Sequence, residues 1–332
     1  MENARLVARG DLQSKGVDYM DTFAPVVKLV SLRLLLTFAA IHDLDVIHWN
    51  VVAAFLTGEL DDEVYMFQPP GFDDGSGRVC HLHKSIYGLC QSARVFFQKL
   101  DAILTKHNQW TRLHTEWALW KHSSINALLG SHVDDFCVVE PPDLRSELKE
   151  YLERHDLIIN DFGPIESYLG MQILHNRPLK RIYLFQQEYA EKVIKDPGMT
   201  SCNPVSTPRL PSFCTAKLPP SPALSDVDIK RYQRTIGSLL YLVQATRPDL
   251  AYPVIHLSQF ASAPCRVYAE ALQRVLRYLK GTVHAKLILG DLSPVDLAGY
   301  FDAAFGDSPK RFSTCGYVFH FFGSPISWSF RV

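Results

Sequence analysis

Several things are missing from this 332-residue chain, and each absence removes a class of explanation. Net charge is almost absent: 34 Lys and Arg stand against 35 Asp and Glu, for a formal −1, so the chain lacks the footprint of a strongly basic nucleic-acid binder. Paired cysteines are absent. The seven cysteines are scattered without any Cys-x-x-Cys, which removes zinc-ribbon and dithiol redox motifs and points to a reducing, intracellular compartment. Long apolar runs are absent too. The longest, Leu34 to Ile41, falls well short of the ~18–20 residues of a membrane span. Glu2, Asn3 and Arg5 follow Met1 with no apolar stretch behind them, so no secretory leader is expected. No low-complexity tract interrupts the chain. What remains is ordinary globular protein, 47% hydrophobic and 21% charged, long enough for two or three domains with separate cores.

Against that background one segment stands out. Ser131-His132-Val133-Asp134-Asp135-Phe136 places two adjacent carboxylates between Ile125–Leu129 and the apolar Cys137, Val138 and Val139, which reads as two strands joined by a turn. Burying such a pair is costly without a cation or hydrogen bonds, so a solvated hairpin tip is the plain alternative. Two upstream segments change the weighting. Trp49 to Gly58 (Trp-Asn-Val-Val-Ala-Ala-Phe-Leu-Thr-Gly) and Lys84 to Arg94 (Lys-Ser-Ile-Tyr-Gly-Leu-Cys-Gln-Ser-Ala-Arg) flank Asp61 to Phe72, which contains Tyr65-Met66-Phe67-Gln68-Pro69-Pro70-Gly71-Phe72. Together with the acidic pair, these resemble the reverse transcriptase of copia-type LTR retrotransposons.

The resemblance continues along the chain. Phe162 to Met171 is similar to the segment just beyond the family's palm. Gly237 to Leu242, Thr246 to Tyr252 and Arg277 to Thr282 resemble its connection region, and Leu297 to Asp307 resembles the opening strand of its ribonuclease H. The implied fold class is α+β: a polymerase palm and fingers with an antiparallel sheet, then a helical connection, then an incomplete ribonuclease H-like α/β fragment. The implied division is 1–175 for fingers and palm, 176–290 for thumb and connection, with a linker at 202–224 carrying six prolines, and 291–332 for the nuclease strands. The family's nuclease glutamate lies on a helix beyond these strands, so an incomplete nuclease site is expected, and the family's upstream protease and integrase regions are expected to be lacking from this chain.

What the resemblance implies chemically is RNA-directed DNA synthesis by two divalent cations, Mg²⁺ or Mn²⁺, clamped by carboxylates from separate elements. In that family one aspartate lies on the strand at position 50 and two lie at the hairpin, here Asp134 and Asp135. This chain has Asn50 at the first position. An amide offers one neutral oxygen where two anionic oxygens would bridge the metals, so a loss on the order of a thousandfold in rate is expected. Asp45 is a poor stand-in. It lies five residues away, about 16 Å along a strand, and the odd shift points it to the opposite face. His132 replaces the family tyrosine, either as a turn residue or as a weak metal ligand.

Arg5 matches an arginine that would grip the incoming dNTP, Gln91 and Arg94 fall at nucleotide- and template-binding positions, and Phe55 falls at the gate beside the sugar. Phe55 reads equally as a core aromatic. Asn3 and Cys90 stand where the family carries lysines, so with Asn50 three charges useful to phosphate or metal are missing. Asp302 matches the first nuclease carboxylate; Asp307 reads as a turn residue.

The implied partners are RNA template, DNA primer, RNA–DNA hybrid and dNTP, with no membrane, and the implied location is intracellular, cytoplasmic in particles or nuclear. Between Arg78 and Arg112 six cations face one acid, which suits a phosphate backbone or merely a solvated face. The alternative to an impaired polymerase is a non-catalytic retroelement remnant or nucleic-acid-binding domain.

Overall fold

A computed structural model describes residues 5–107, 109–142, 147–209, 222–290, 295–306 and 313–331. The chain divides into two compact units: Met1–Leu32 with Leu44–Ile165, and Arg33–Asp43 with Glu166–Val332.

The first unit is built on a six-stranded antiparallel sheet. Its strands are β1 (Asp45–Val51), β4 (Trp110–Arg112), β5 (Leu119–His122), β6 (Leu128–His132), β7 (Asp135–Glu140) and β8 (Ile159–Pro164), in spatial order β4-β5-β6-β7-β1-β8. A separate hairpin pairs β2 (Glu59–Phe67) with β3 (Val79–Lys84). Alternation decides the sheet's two faces. Trp49 opposes Phe136, both fully buried, while the next pair, Asn50 opposite Asp135, points the other way.

The covered face packs on α2 (Ser92–Lys106) and α3 (Glu147–Glu153). Phe96, Leu100 and Leu104 of α2 and Leu152 of α3 join Trp49, Trp120, Leu129, Phe136 and Val138 in one core. Burial of side chains this large, at roughly 25 cal/mol per Å² of apolar surface, is what makes the sheet rigid enough to hold a polar site on its far side.

The second unit contains a sheet ordered β12-β11-β10-β9 (Leu287–Leu289, Arg181–Phe185, Met171–Asn176, Ser167–Tyr168) and the helices α4 (Gln187–Lys195), α5 (Asp226–Ala245), α6 (Ala251–Ser258) and α7 (Arg266–Gly281). A further antiparallel sheet runs β13 (Leu297–Ala304), β14 (Thr314–Phe321), β15 (Ser324–Arg331). A buried arginine of α1 (Leu29–His42) ties part of this unit together: Arg33 donates to the carbonyls of Gln244, Ala245 and Ile326 and lies over the Trp328 ring at 4.1 Å. Burial draws the Arg33 pKa down to about 10.

Three local readings of the sequence meet a different structure. The residues Ala4 to Gly10 read as a short strand ending at glycine, yet residues 5–9 are irregular and run into a short 3-10 turn at Gly10–Leu12, held by loop bonds such as Ala8 N–H to Tyr87 O rather than by a ladder. Ser31 to Ile41 reads as an apolar helix capped by Ser31, yet the first helix begins at Leu29 and the Ser31 hydroxyl donates to Glu116 Oε2 at 2.7 Å instead of capping. Asp143 to His155 reads as a helix; Glu147–Glu153 is helical and residues 143–146 lie outside the described residues. Asn3, Asp307 and residues 210–221 of the proline-rich linker also lie outside them. No described helix is long and apolar enough to cross a membrane.

Candidate active site at the β6–β7 turn

Only Val133 and Asp134 separate β6 from β7, so the acidic pair sits at a two-residue hairpin turn. Val133 has φ +58°, a left-handed conformation that a β-branched residue adopts only under constraint, at a cost of about 1–3 kcal/mol. The constraint is visible on both sides. The Val51 amide donates to Asp134 O at 2.8 Å, and the Val27 amide donates to Ser131 O at 2.8 Å, pinning turn and strand to their neighbours.

Register then brings the candidate residues together. Asn50 lies directly across from Asp135 in the β1–β7 ladder, and Asn50 Nδ2 donates to Asp135 Oδ1 at 3.1 Å and, more weakly, to Asp134 O at 3.5 Å. His132 faces Asp135 from the β6 side. A residue that the sequence reading missed completes the cluster: His48 Nε2 lies 3.3 Å from Asp135 Oδ1, and its ring rests against Phe162 at 4.9 Å. The signal was available, because His48 and Asn50 are two apart on one strand and therefore share a face. Asp45 pairs with Glu140 at the opposite end of the same ladder.

The two carboxylates are pushed apart. Asp134 is held above its ordinary pKa, chiefly by burial and also by the charge of Asp135, against hydrogen bonding and the attraction of Arg5. Asp135 is held below its ordinary value, chiefly by the hydrogen bond from His48, with Asn50 and the charge of His132 adding to it. Asp134 is thus a half-buried carboxylate short of positive compensation, a frequent property of functional sites.

The other candidates are distributed around this turn and away from it. The Arg5 guanidinium stacks on Tyr87 at 4.3 Å, and Tyr87 meets Phe55 edge-on at 5.0 Å. Phe55 itself packs against the unit's core. Gln91 is fully buried; it donates to Asp18 O at 3.0 Å and accepts from Gln13 at 3.2 Å. Cys90 Sγ contacts Gly10 O at 3.2 Å. Arg94 faces Asp21 at 3.5 Å and lines a groove with Phe23, Asp101, Arg112 and Trp117. Asp302 belongs to the second unit, on exposed β13 opposite Gly316, and its carboxylate accepts from the Ala303 amide.

The basic stretch is not one stripe. Its cations are spread over different elements, and Arg78, Arg94 and Arg112 each pair with an acid, Asp74, Asp21 and Asp101, while Lys99 donates to Thr57 O.

Similarity to known proteins bears directly on this arrangement. The family described as Reverse transcriptase (RNA-dependent DNA polymerase) matches residues 2–211. A transposon Ty5-1 protein of Saccharomyces cerevisiae is 32% identical over 84% of this chain and 91% of its own length. The chain belongs to the reverse transcriptase family, in its copia-type branch. Retrovirus-related Pol polyproteins from transposon TNT 1-94 of Nicotiana tabacum and transposon RE1 of Arabidopsis thaliana are 36% and 35% identical over 99% and 98% of this chain. The chain spans 25% and 22% of those two relatives. Among solved structures, a foamy viral protease-reverse transcriptase dRH in complex with double-stranded DNA superposes with TM-score 0.50 at 12% identity, covering 87% of this chain and 43% of that one. It shares the fold.

Reverse transcriptases generally use divalent metals. A pair of magnesium ions about 3.5–4 Å apart needs anionic oxygens that bridge them. Position 50 offers an amide whose NH₂ is turned toward Asp135. Among the described residues no three His, Cys, Asp or Glu side chains gather on one metal position. The residues present do not fit a bridged magnesium pair.

Proposed function

We propose that this chain is the polymerase part of a copia-type Pol polyprotein, able to engage an RNA template and DNA primer but impaired in nucleotidyl transfer. The observation that carries the reading is the pairing of Asn50 with Asp135 beside the strained Val133–Asp134 turn. Three positions that the family fills with carboxylates meet at one place, and one of them is an amide acting as a donor. Asn50 satisfies Asp135 locally, which stabilises the apo arrangement at the expense of anionic charge that a divalent cation and triphosphate would need.

In the same reading Arg5 contacts the dNTP phosphates, Phe55 and Tyr87 form the wall beside the sugar, and Gln91 and Arg94 shape the template side. Mg²⁺ or Mn²⁺ is the cofactor when position 50 is an aspartate. The segments 176–290 and 291–332 serve as thumb with connection and as nuclease strands, with Asp302 as one nuclease carboxylate. Binding of double-stranded nucleic acid by the structural relative supports nucleic acid as the partner.

A second reading, a nucleic-acid-binding remnant without catalysis, is favoured by the same amide at position 50. Primer extension on an RNA template with Mg²⁺ or Mn²⁺ separates them. The impaired-polymerase reading expects extension from Asn50→Asp at least about a thousandfold above the chain as it stands. A soluble Asn50→Asp chain that shifts an RNA–DNA hybrid in a gel but extends nothing establishes the remnant instead.

A further inference from the structure

Arg78, Arg94 and Arg112 of the first unit each face an acid, whereas the cations along one side of α7 meet neutral oxygens. We propose that the cavity lined by α6, α7 and Pro208–Arg209 is a binding site for a small organic phosphate, a dianionic head on an apolar body about the size of one ring.

The charge is held in place without being cancelled. Arg274 and Arg277 are three apart on α7 and therefore neighbours on its surface. Arg274 Nη2 donates to Thr207 Oγ1 at 2.8 Å and Arg277 Nε donates to Asn203 O at 2.7 Å. Further along the helix, Lys280 Nζ donates to Thr200 O at 2.6 Å and to Cys202 O at 2.7 Å. A hydroxyl and three carbonyls orient these cations but carry no negative charge to offset them. Arg209 also lines the cavity; its Nη1 donates to the Tyr252 hydroxyl at 2.6 Å and its guanidinium lies over that ring at 4.7 Å. Glu270 on the same lining is engaged with Arg266 at 3.0 Å.

The cavity has a volume of about 280 Å³, and its walls divide by chemistry. Leu257 and Val275, 2% and 0% exposed, belong to the core of the second unit and line it together with Pro253 and Ala271. Arg209, Arg274 and Arg277 supply the charged part. Arg274 Nε is buried and has no hydrogen-bond partner among the described residues. A buried N–H without an acceptor is costly, and an anionic oxygen beside that guanidinium removes the cost. Guanidinium presents a planar fork that matches phosphate oxygens, and several together favour a dianion over a carboxylate. A bare phosphate would use the charged part alone. The apolar wall calls for a body attached to it.

This inference stands apart from the polymerase reading, because it concerns a small ligand and residues of the second unit. The full chain is titrated by calorimetry with phenyl phosphate, inorganic phosphate, benzoate and phenol. The expected result is one phenyl phosphate per chain, bound at least about tenfold more tightly than any of the other three. Arg274→Gln weakens it by about tenfold or more. Ala271→Leu does the same by filling the cavity, with no charge altered. Arg78→Gln, in the first unit, leaves binding unchanged. Circular dichroism and thermal unfolding confirm that each variant is folded, and Arg277→Gln takes the place of Arg274→Gln should that chain not fold.

Inorganic phosphate or benzoate binding as tightly as phenyl phosphate overturns the proposal, as does affinity unmoved by Arg274→Gln or by Ala271→Leu. Displacement of phenyl phosphate by an RNA–DNA hybrid overturns it too, by making the cavity part of a nucleic-acid surface. Phenyl phosphate binding as expected, with no primer extension by Asn50→Asp, supports this inference and removes the polymerase reading alone.

Discussion

Two aspartates in this chain lie on antiparallel ladders and look alike in sequence, Asp135 in Val-Asp-Asp-Phe and Asp302 in Tyr-Phe-Asp-Ala. Their surroundings differ completely. Asp135 sits on a sheet whose opposite face is sealed by Trp49 and Phe136, both 0% exposed, and it receives hydrogen bonds from two side chains. Asp302 sits beside Phe301 at 89% and Tyr300 at 62% exposure, and its described hydrogen bond is to the adjacent amide. A carboxylate acquires unusual properties where a covered sheet forces it against other groups. In the second unit β15 is the best-anchored strand of its sheet, through Arg33 to Ile326 O, Trp328 Nε1 to Val243 O, and Phe330 against Tyr252.

The largest test of this contrast is to uncover the first sheet. Trp49→Ala empties a fully buried site and is expected to cost about 3–5 kcal/mol, measured by urea unfolding, with loss of hydrogen-exchange protection along β1 and β7. Retained protection there would mean that the sheet does not depend on its covered face.

Next is the anchor of the second sheet. Arg33→Ala strips the donor from three backbone carbonyls and is expected to cost on the order of 3 kcal/mol, with exchange rising in β15 before β1. Equal loosening of both strands would refute the localised role.

Smaller effects should come from the carboxylates themselves, with opposite signs. Asp135 has a lowered folded pKa, so its stabilising contribution is present above its unfolded value of about 4 and is lost as pH falls through the folded value. Asp134 has a raised folded pKa, so its contribution is present below about 4 and is lost as pH rises through the folded value. Near neutral pH, Asp134→Asn should therefore stabilise and Asp135→Asn destabilise, each by less than about 1 kcal/mol after solvent screening. The difference should shrink as denaturation is repeated at pH values falling through about 4. A gap between the two that does not change with pH would assign it to packing rather than charge.

Smallest in free energy is Phe301→Ser. On an exposed strand it should change stability by within about 0.5 kcal/mol while raising the concentration at which the chain aggregates, followed by light scattering. Cooperative unfolding weakened by much more would show that the open face is in fact covered.

Much of this was legible in the residues. The Asp134–Asp135 turn and a helix over Ser92–His107 follow from periodicity and turn chemistry, which act between near neighbours; the family resemblance points to strands over Gly316–Phe321 and Ile326–Phe330, inside the observed Thr314–Phe321 and Ser324–Arg331. The expected strand at the N-terminus failed because strand propensity is realised only with a partner edge. The Ser31 cap failed because Glu116, 85 residues away, competes for the hydroxyl. Likewise nothing local revealed that Gln91 would be buried by Gln13 and Asp18.

By itself, then, the sequence determined the family, the order of elements and the identity of the group at position 50, since those are carried by residue types at fixed spacing. Tertiary structure alone decided that Asn50 donates to Asp135, that His48 joins the pair, and that Val133 is held left-handed. Those facts depend on register between strands more than eighty residues apart, and register is fixed by which face of the sheet the core buries.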